Sequence, residues 1–128
     1  SSLQILGDGT QSKSYIYVSD VLDAMRLIEK DHLKGYKYFN VSTLDHITVT
    51  EIANIVKELM GLPEVKYAYT GGDRGWKGDV PVVRLDSKKI RSFGWKNKYT
   101  AAEAIRKSVE SIIEDANAGR FGWKGVSH

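Results

Sequence analysis

Two glycine-bounded segments carry the residue types that bind anions. One covers residues 9–15 and the other residues 71–79, and their candidate side chains are Lys13, Tyr15, Arg74, Lys77 and Asp79. Glycine lets backbone N–H groups approach a ligand, lysine and arginine attract phosphate oxygens, and a carboxylate accepts hydrogen bonds from sugar hydroxyls. The residues alone leave two interpretations open: an anion-binding site, or two solvated loops with Trp76 packed on the core.

A glycine pattern at residues 72, 75 and 78 has the spacing of a dinucleotide-binding turn. Such a turn requires a helix directly after it, because the N–H groups of the first helical turn bind the pyrophosphate. The residues that follow are instead β-branched and are interrupted by Pro81. We therefore expect this chain to bind no nucleotide cofactor by itself.

No set of residues has the pattern of a catalytic or metal centre. The chain contains no Gly-x-Ser-x-Gly sequence, and its three histidines, His32, His46 and His128, are predicted to be surface residues. The absence of cysteine excludes a cysteine nucleophile, a cysteine-ligated metal and a disulfide scaffold. We expect neither a catalytic residue nor a metal site.

Length and composition are those of one globular domain. The chain has 128 residues, of which 41% are hydrophobic and 27% charged, with a net charge of +3. A charge this small, without a basic stripe, argues against nucleic acid as a partner. The sequence shows no apolar stretch of about 20 residues and no signal peptide, so we expect no membrane contact and a cytoplasmic location.

Helix signals are the strongest local features. Thr48-x-x-Glu51 and Thr100-x-x-Glu103 are capping boxes, in which a threonine and a glutamate satisfy free N–H groups reciprocally. A further helix is predicted to begin at an N-cap at Ser19 or Asp20 and to present apolar residues at helical spacing. A short helix is predicted after a cap at residue 86.

Short runs of β-branched and aromatic residues between these helices predict strands. The predicted strands cover residues 3–6, 14–18, 38–41, 65–69 and 80–85. The fold class is therefore α/β in the mixed sense, with α and β elements interleaved. We expect one domain over residues 1–119 and a loose tail over 120–128.

Three sequence motifs follow one another along the chain. Residues 7–20 read GDGTQSKSYIYVSD, residues 38–42 read YFNVS, and residues 74–79 read RGWKGD. In this order they resemble the carboxy-terminal part of the extended short-chain dehydrogenases, above all the NAD-dependent UDP-glucose 4-epimerases. The resemblance covers nearly the whole chain. It implies the small substrate-binding domain of such an enzyme, without its Rossmann domain.

The resemblance implies that catalysis and substrate binding belong to different parts of the parent enzyme. The parent enzyme would interconvert UDP-glucose and UDP-galactose with NAD as hydride carrier, and the carboxy-terminal part would clamp the nucleotide diphosphate. The family's catalytic Tyr-x-x-x-Lys is absent here, since none of the seven tyrosines has a lysine four positions later. We therefore predict that this chain alone is inactive.

The resemblance also implies a role for each candidate residue. Lys13 falls where the family has a phosphate-binding arginine, Tyr15 at a nucleotide-contacting aromatic, and Asp79 at a carboxylate that accepts from the ribose hydroxyls. Arg74 would be the second cation for the diphosphate. Lys77 is an alternative to it, because this loop is longer than the family's Arg-x-Gly-Asp form.

The expected partners are a UDP-sugar, the missing Rossmann domain and a second copy of the chain. Self-association as a dimer is expected because the family packs residues 15–28 against the nucleotide-binding part. Without that part, their apolar side chains would face water. The alternative function is a stand-alone, non-catalytic module that binds a nucleotide sugar or another partner.

Overall fold

The computed structural model describes residues 1–30, 35 and 37–120. They form five short strands and four helices, which confirms the mixed α/β class: β1 (Ser2–Ile5), β2 (Ser12–Lys13), α1 (Val18–Lys30), β3 (Ile47–Thr48), α2 (Val49–Leu59), β4 (Lys66–Tyr69), β5 (Val82–Val83), α3 (Lys88–Ser92) and α4 (Ala101–Asn117). Within the described ranges, no helix is both long enough and apolar enough to cross a membrane. His32, His128 and residues 121–128 of the predicted tail lie outside the described residues.

The strands form two small sheets. β1 and β4 pair in parallel, with Ile5 opposite Tyr69 at their carboxyl ends. β2 is the central strand of the second sheet, antiparallel to β3 and parallel to β5, so that Lys13 lies opposite both Ile47 and Val83. These pairings bring the two glycine-bounded segments to the same region of the molecule.

Both predicted capping boxes are present. The Thr48 hydroxyl accepts from the Glu51 N–H at the start of α2, and the Glu51 carboxylate accepts from the Thr48 N–H. Thr100 and Glu103 make the same reciprocal pair at the start of α4. The two helices that begin there pack against each other.

The apolar core lies on the α1 and α3 side of the molecule. Its buried centre is Ala24, Ile90 and Trp95, and the side chains packed around it are Ile16, Leu27, Ile28, Phe39 and Val41. The Trp95 Nε1–H is satisfied by the Asp20 carbonyl at 3.0 Å. The core therefore anchors one side of the molecule and leaves the space between β1 and α2 less filled.

The predicted strands over 14–18 and 38–41 are wrong. The structure has no strand in either segment, although Ile16, Phe39 and Val41 all pack on the core. The aromatic and β-branched residues there are explained by burial and not by hydrogen bonding to a neighbouring strand. Strand propensity mainly measures how well a side chain fits a half-buried surface.

The start of α1 also differs from the prediction. The helix begins at Val18, so Ser19 and Asp20 lie inside its first turn and not at an N-cap. The Asp20 carboxylate binds a distant segment instead, accepting from the N–H groups of Lys98 at 3.0 Å and Tyr99 at 3.2 Å. A carboxylate used in this way ties α1 to the segment before α4.

The segment before α3 is less regular than predicted. Strand pairing is limited to β5, within the predicted 80–85, because its partner β2 has only two residues. Ser87 occupies the N-cap position of α3 without a side-chain cap bond. The Asp86 carboxylate nevertheless accepts from the Lys88 N–H at 2.8 Å, so its local role resembles the predicted cap.

Candidate functional site

The candidate site lies where two loops meet beyond the carboxyl ends of β1 and β4. The first loop covers residues 6–11 and the second loop residues 70–79. The Gly71 N–H donates to the Gly7 carbonyl at 3.0 Å, and the Gly7 N–H donates to the Thr70 hydroxyl at 2.8 Å. These bonds extend the β1–β4 pairing into the loops and fix the loops relative to each other.

Gly7 is required by this close approach. Its φ is +85°, a conformation that residues with a side chain rarely adopt. A Cβ there would lie 2.1 Å from Gln11 Nε2 and 2.9 Å from the Arg74 carbonyl oxygen. Only a residue without Cβ lets the backbone of the second loop lie this near to the first.

An ion pair with a buried carboxylate joins the two halves of the site. Lys13 Nζ lies 2.9 Å from Asp79 Oδ1, and the other carboxylate oxygen accepts from the Gly75 N–H at 3.0 Å. The Lys13 side chain is 30% exposed and that of Asp79 only 3%. Two predicted site residues that are 66 positions apart are therefore in direct contact.

The surroundings of Asp79 favour the charged form of its carboxyl group. The hydrogen bond from Lys13, followed by that from the Gly75 N–H, holds the pKa of the Asp79 carboxyl below its usual value. Asp79 is therefore ionised at neutral pH. An ammonium group has three donors, so Lys13 retains hydrogens for an anionic ligand while it stays paired with Asp79.

The ion pair lies at one end of an open groove of about 460 Å³ between β1 and α2. Apolar side chains such as Leu3, Ile52 and Val56 line its length, and Lys13 and Tyr15 line its polar end. An apolar cleft with a few convergent polar groups is the usual form of a small-molecule site.

Arg74 and Lys77 are placed differently from the other candidates. Both are exposed on the second loop, and neither lines the groove. Gly75 and Trp76, which lie between them in the sequence, do line it, so each cation is next in the chain to a groove residue. The structure thus brings together three of the five predicted site residues and leaves the other two at the edge.

The N-terminus of α2 is not an anion site, although it adjoins the groove. Its first free N–H groups are taken: that of Val49 donates to the Gln11 carbonyl at 3.0 Å, and that of Thr50 to the Gly9 carbonyl at 3.1 Å. A phosphate there would have to displace these bonds. Over residues 1–30 and 37–120, no three acidic or histidine residues are grouped as metal ligands.

Comparison with known proteins connects this site to a class of enzymes. No family model matches the chain. The UDP-glucose 4-epimerase of Mycolicibacterium smegmatis is 30% identical over 108 residues, which is 84% of this chain and 33% of that protein. The "Probable GDP-L-fucose synthase 1" of Oryza sativa is 28% identical over 111 residues, which is 87% of this chain and 32% of that protein. The chain is a homologue of NAD-dependent extended short-chain dehydrogenases.

Solved structures of these dehydrogenases share the fold of the chain. A UDP-glucose 4-epimerase from Thermotoga maritima, crystallised with UDP-glucose, superposes with a TM-score of 0.72 at 30% identity, over 90% of this chain and 36% of that one. MoeE5 in complex with UDP-glucuronic acid and NAD gives 0.72 at 28% identity, over 89% and 37%. The chain spans about a third of the length of the curated relatives it matches.

Two side chains of the site were not predicted from the sequence. Gln11 is 3% exposed, lines the groove and donates from Nε2 to the Leu6 carbonyl at 3.0 Å. Trp76 also lines the groove and is 61% exposed, so the interpretation that packs it on the core is wrong. The position of Gln11 within the first motif could have marked it as a site residue. Nothing in the sequence around Trp76 indicates that its side chain is exposed.

Proposed function

We propose that the chain is the nucleotide-sugar-binding portion of an enzyme like the UDP-glucose 4-epimerases and corresponds to their carboxy-terminal part. The observation that carries this proposal is the Lys13 ammonium, held by a buried carboxylate at the polar end of an apolar groove. UDP-glucose and UDP-galactose are the proposed substrates. The names of the homologues support this ligand class.

In the proposed complex, the diphosphate lies at the polar end of the groove. Lys13 donates to one phosphate, and Arg74, from the edge, provides the second cation, with Lys77 as the alternative. Tyr15 contacts the nucleoside. Asp79 holds Lys13 in place, and it reaches the ribose hydroxyls only if a ligand draws it away from Lys13 or Gly75.

We also propose that this chain performs no epimerisation alone. The sequence contains no Tyr-x-x-x-Lys, and residues 71–79 form no helix-opening dinucleotide turn. NAD and the catalytic base would come from the Rossmann portion of the parent enzyme, and its proposed location is the cytoplasm. The same absence favours the second candidate function, a stand-alone non-catalytic module that binds nucleotide sugars.

Self-association belongs to the proposal as well. Val18, Leu22 and Met25 lie along one face of α1, and each is more than 40% exposed. The predicted exposure of Ile16 and Ile28 does not hold, because both pack on the core. The remaining apolar stripe is the surface that a second copy would cover.

Calorimetric titration with UDP tests the binding proposal. We expect wild-type affinity in the millimolar range, because only part of the pocket is present. Lys13→Met should weaken binding about tenfold or more, since it removes a charge-assisted hydrogen bond. The matched control is Lys66→Met on β4, an exposed lysine that does not line the groove. Equal affinities for the two variants would refute the assignment of Lys13.

A second pair of variants assigns the second cation. Arg74→Ala should reduce UDP affinity more than Lys77→Ala, because only a guanidinium offers a bidentate fork to phosphate. The reverse order would give the phosphate contact to Lys77. UDP-galactose turnover by the purified chain with added NAD would overturn the proposed inactivity.

A further inference from the structure

Trp76 is a large apolar side chain in an unusual setting. It is 61% exposed, yet it lines the same groove as Lys13 and Asp79. An exposed tryptophan alone needs no explanation. Here, however, the indole borders an apolar cleft and stands beside a cation, which is the combination that binding sites for flat, charged ligands use.

Lys13 lies against the indole, Gly78 is near one edge of the ring, and Asp79 is bonded to the Trp76 backbone. Lys13 Nζ lies over the ring, 5.4 Å from its centroid. A Cβ on Gly78 would lie 3.9 Å from both Cδ1 and Nε1 of the indole, so the Gly78 backbone lies near one edge of the ring without filling the space beside it. The Asp79 N–H donates to the Trp76 carbonyl at 3.0 Å, which ties its backbone to the ion pair.

We propose that Trp76 is the stacking surface for the nucleobase of the bound nucleoside diphosphate. The inference rests on the proposed function, and it adds a specificity-determining residue to that site. A nucleoside diphosphate carries its phosphates and its base on one ribose. A ligand whose diphosphate binds Lys13 therefore brings a planar ring to the indole beside it.

Stacking would give the site a defined selectivity. Aromatic side chains bind bases through their π faces and tolerate any base. Lys13 by itself recognises only negative charge and accepts any phosphate. With Trp76 beside it, the groove selects nucleotides over simple phosphates without selecting strongly among the bases.

The test compares two ligands on three proteins, and glucose 1-phosphate is titrated into wild type as a third ligand. UDP and inorganic pyrophosphate are titrated into the 128-residue chain, Trp76→Ala and Trp76→Phe, with affinities measured by NMR. The readout that does not depend on affinity is the indole N–H signal of Trp76, identified by its loss in Trp76→Phe. Circular dichroism checks that each variant retains the helices.

We expect Trp76→Ala to weaken UDP about tenfold and pyrophosphate less than twofold, with Trp76→Phe between wild type and Trp76→Ala. The indole signal should shift with UDP and not with pyrophosphate. Equal losses for both ligands would overturn the inference, since Trp76 would then only position Lys13. So would an indole shift with glucose 1-phosphate as large as that with UDP, which would place the hexose on the ring.

The proposed function fails in a different way. If wild type binds neither UDP nor pyrophosphate, both the anion site and the stacking surface are refuted. If it binds the two ligands with equal affinity, the anion site at Lys13 stands and the role of Trp76 is refuted.

Discussion

The Lys13–Asp79 pair is the residue-scale feature on which the site depends. A buried carboxylate is tolerated only when it is paired and hydrogen-bonded, and Asp79 has both a cation and the Gly75 N–H. Removing both charges from water costs free energy, so the pair adds little net stability. Its role is to hold the Lys13 ammonium group at the end of the groove. Removing either partner leaves the other charge uncompensated.

The depressed pKa of Asp79 predicts how stability changes with pH. A carboxyl whose native pKa lies below its usual 3.8 contributes fully above that value and loses its contribution as pH falls through the native pKa. The difference in free energy of unfolding between wild type and Asp79→Asn should therefore be constant from pH 7 to 5 and shrink below pH 3.8. Urea unfolding at a series of pH values measures it.

Comparing the two proteins is necessary because the pKa values of Asp8, Asp23, Glu51 and Glu58 are also lowered by hydrogen bonds. Their effect is common to both proteins and cancels in the difference. A difference that does not change with pH would contradict the assigned role of the ion pair. When the double variant Lys13→Met with Asp79→Asn is compared with Lys13→Met alone, the difference should depend less on pH, because the largest cause of the lowered Asp79 pKa is absent from both proteins.

Comparing Gly7 with Gly71 separates the cost of a steric contact from the cost of backbone strain. Gly7 and Gly71 have φ of +85° and +84°, but a Cβ on Gly71 would meet nothing within 4 Å. Gly71→Ala should cost about 1 kcal/mol from the backbone alone. Gly7→Ala should cost about 1–3 kcal/mol more, because the two loops must separate. Equal losses of unfolding free energy in chemical denaturation would show that the two loops can separate at no measurable cost.

At the scale of elements, the two capping boxes predicted helix starts correctly, whereas the single N-cap signal at Ser19 or Asp20 and two of the strand signals did not. The capping boxes specify where α2 and α4 begin because both partners lie within one turn. The strands predicted over 14–18 and 38–41 failed because pairing depends on a partner elsewhere in the chain. Residues such as Ile16 and Phe39 fit a core equally well without a ladder.

The two capping boxes also allow a matched experiment. Thr48→Ala and Thr100→Ala should each cost about 1 kcal/mol of stability. Of these two helices, only α2 is bonded to the first loop in the described part of the chain, through the Gln11 and Gly9 carbonyls. Thr48→Ala should therefore also weaken UDP binding, whereas Thr100→Ala should not, as titration of both variants would show. Equal effects on binding would mean that the start of α2 does not support the site.

At the scale of the whole molecule, the site is a product of topology. Lys13 and Asp79 are brought together by the parallel pairing of β2 with β5, an arrangement that no local pattern encodes. The order of the motifs and their resemblance to one family named these residues in advance. Neither indicated the ion pair between them, or the groove whose apolar wall comes from β1 and α2.

The exposed stripe on α1 predicts the behaviour of the chain in solution. Sedimentation equilibrium at micromolar concentration should show a dimer that buries Leu22 and Met25. Met25→Glu should shift the equilibrium to monomer, whereas Ile112→Glu on α4, also exposed, should not. A wild-type monomer of 14.3 kDa with protected α1 amides would refute this interface.

We propose that the two loops and the Lys13–Asp79 ion pair form a nucleoside diphosphate site. The most direct measurement is a titration of the isotope-labelled chain with UDP, followed through backbone amide NMR signals. We expect saturable shifts concentrated at residues 11–15 and 72–79, with smaller ones along α2, which lines the groove. Shifts spread evenly over the chain, or concentrated on the α1 and α3 side, would contradict it.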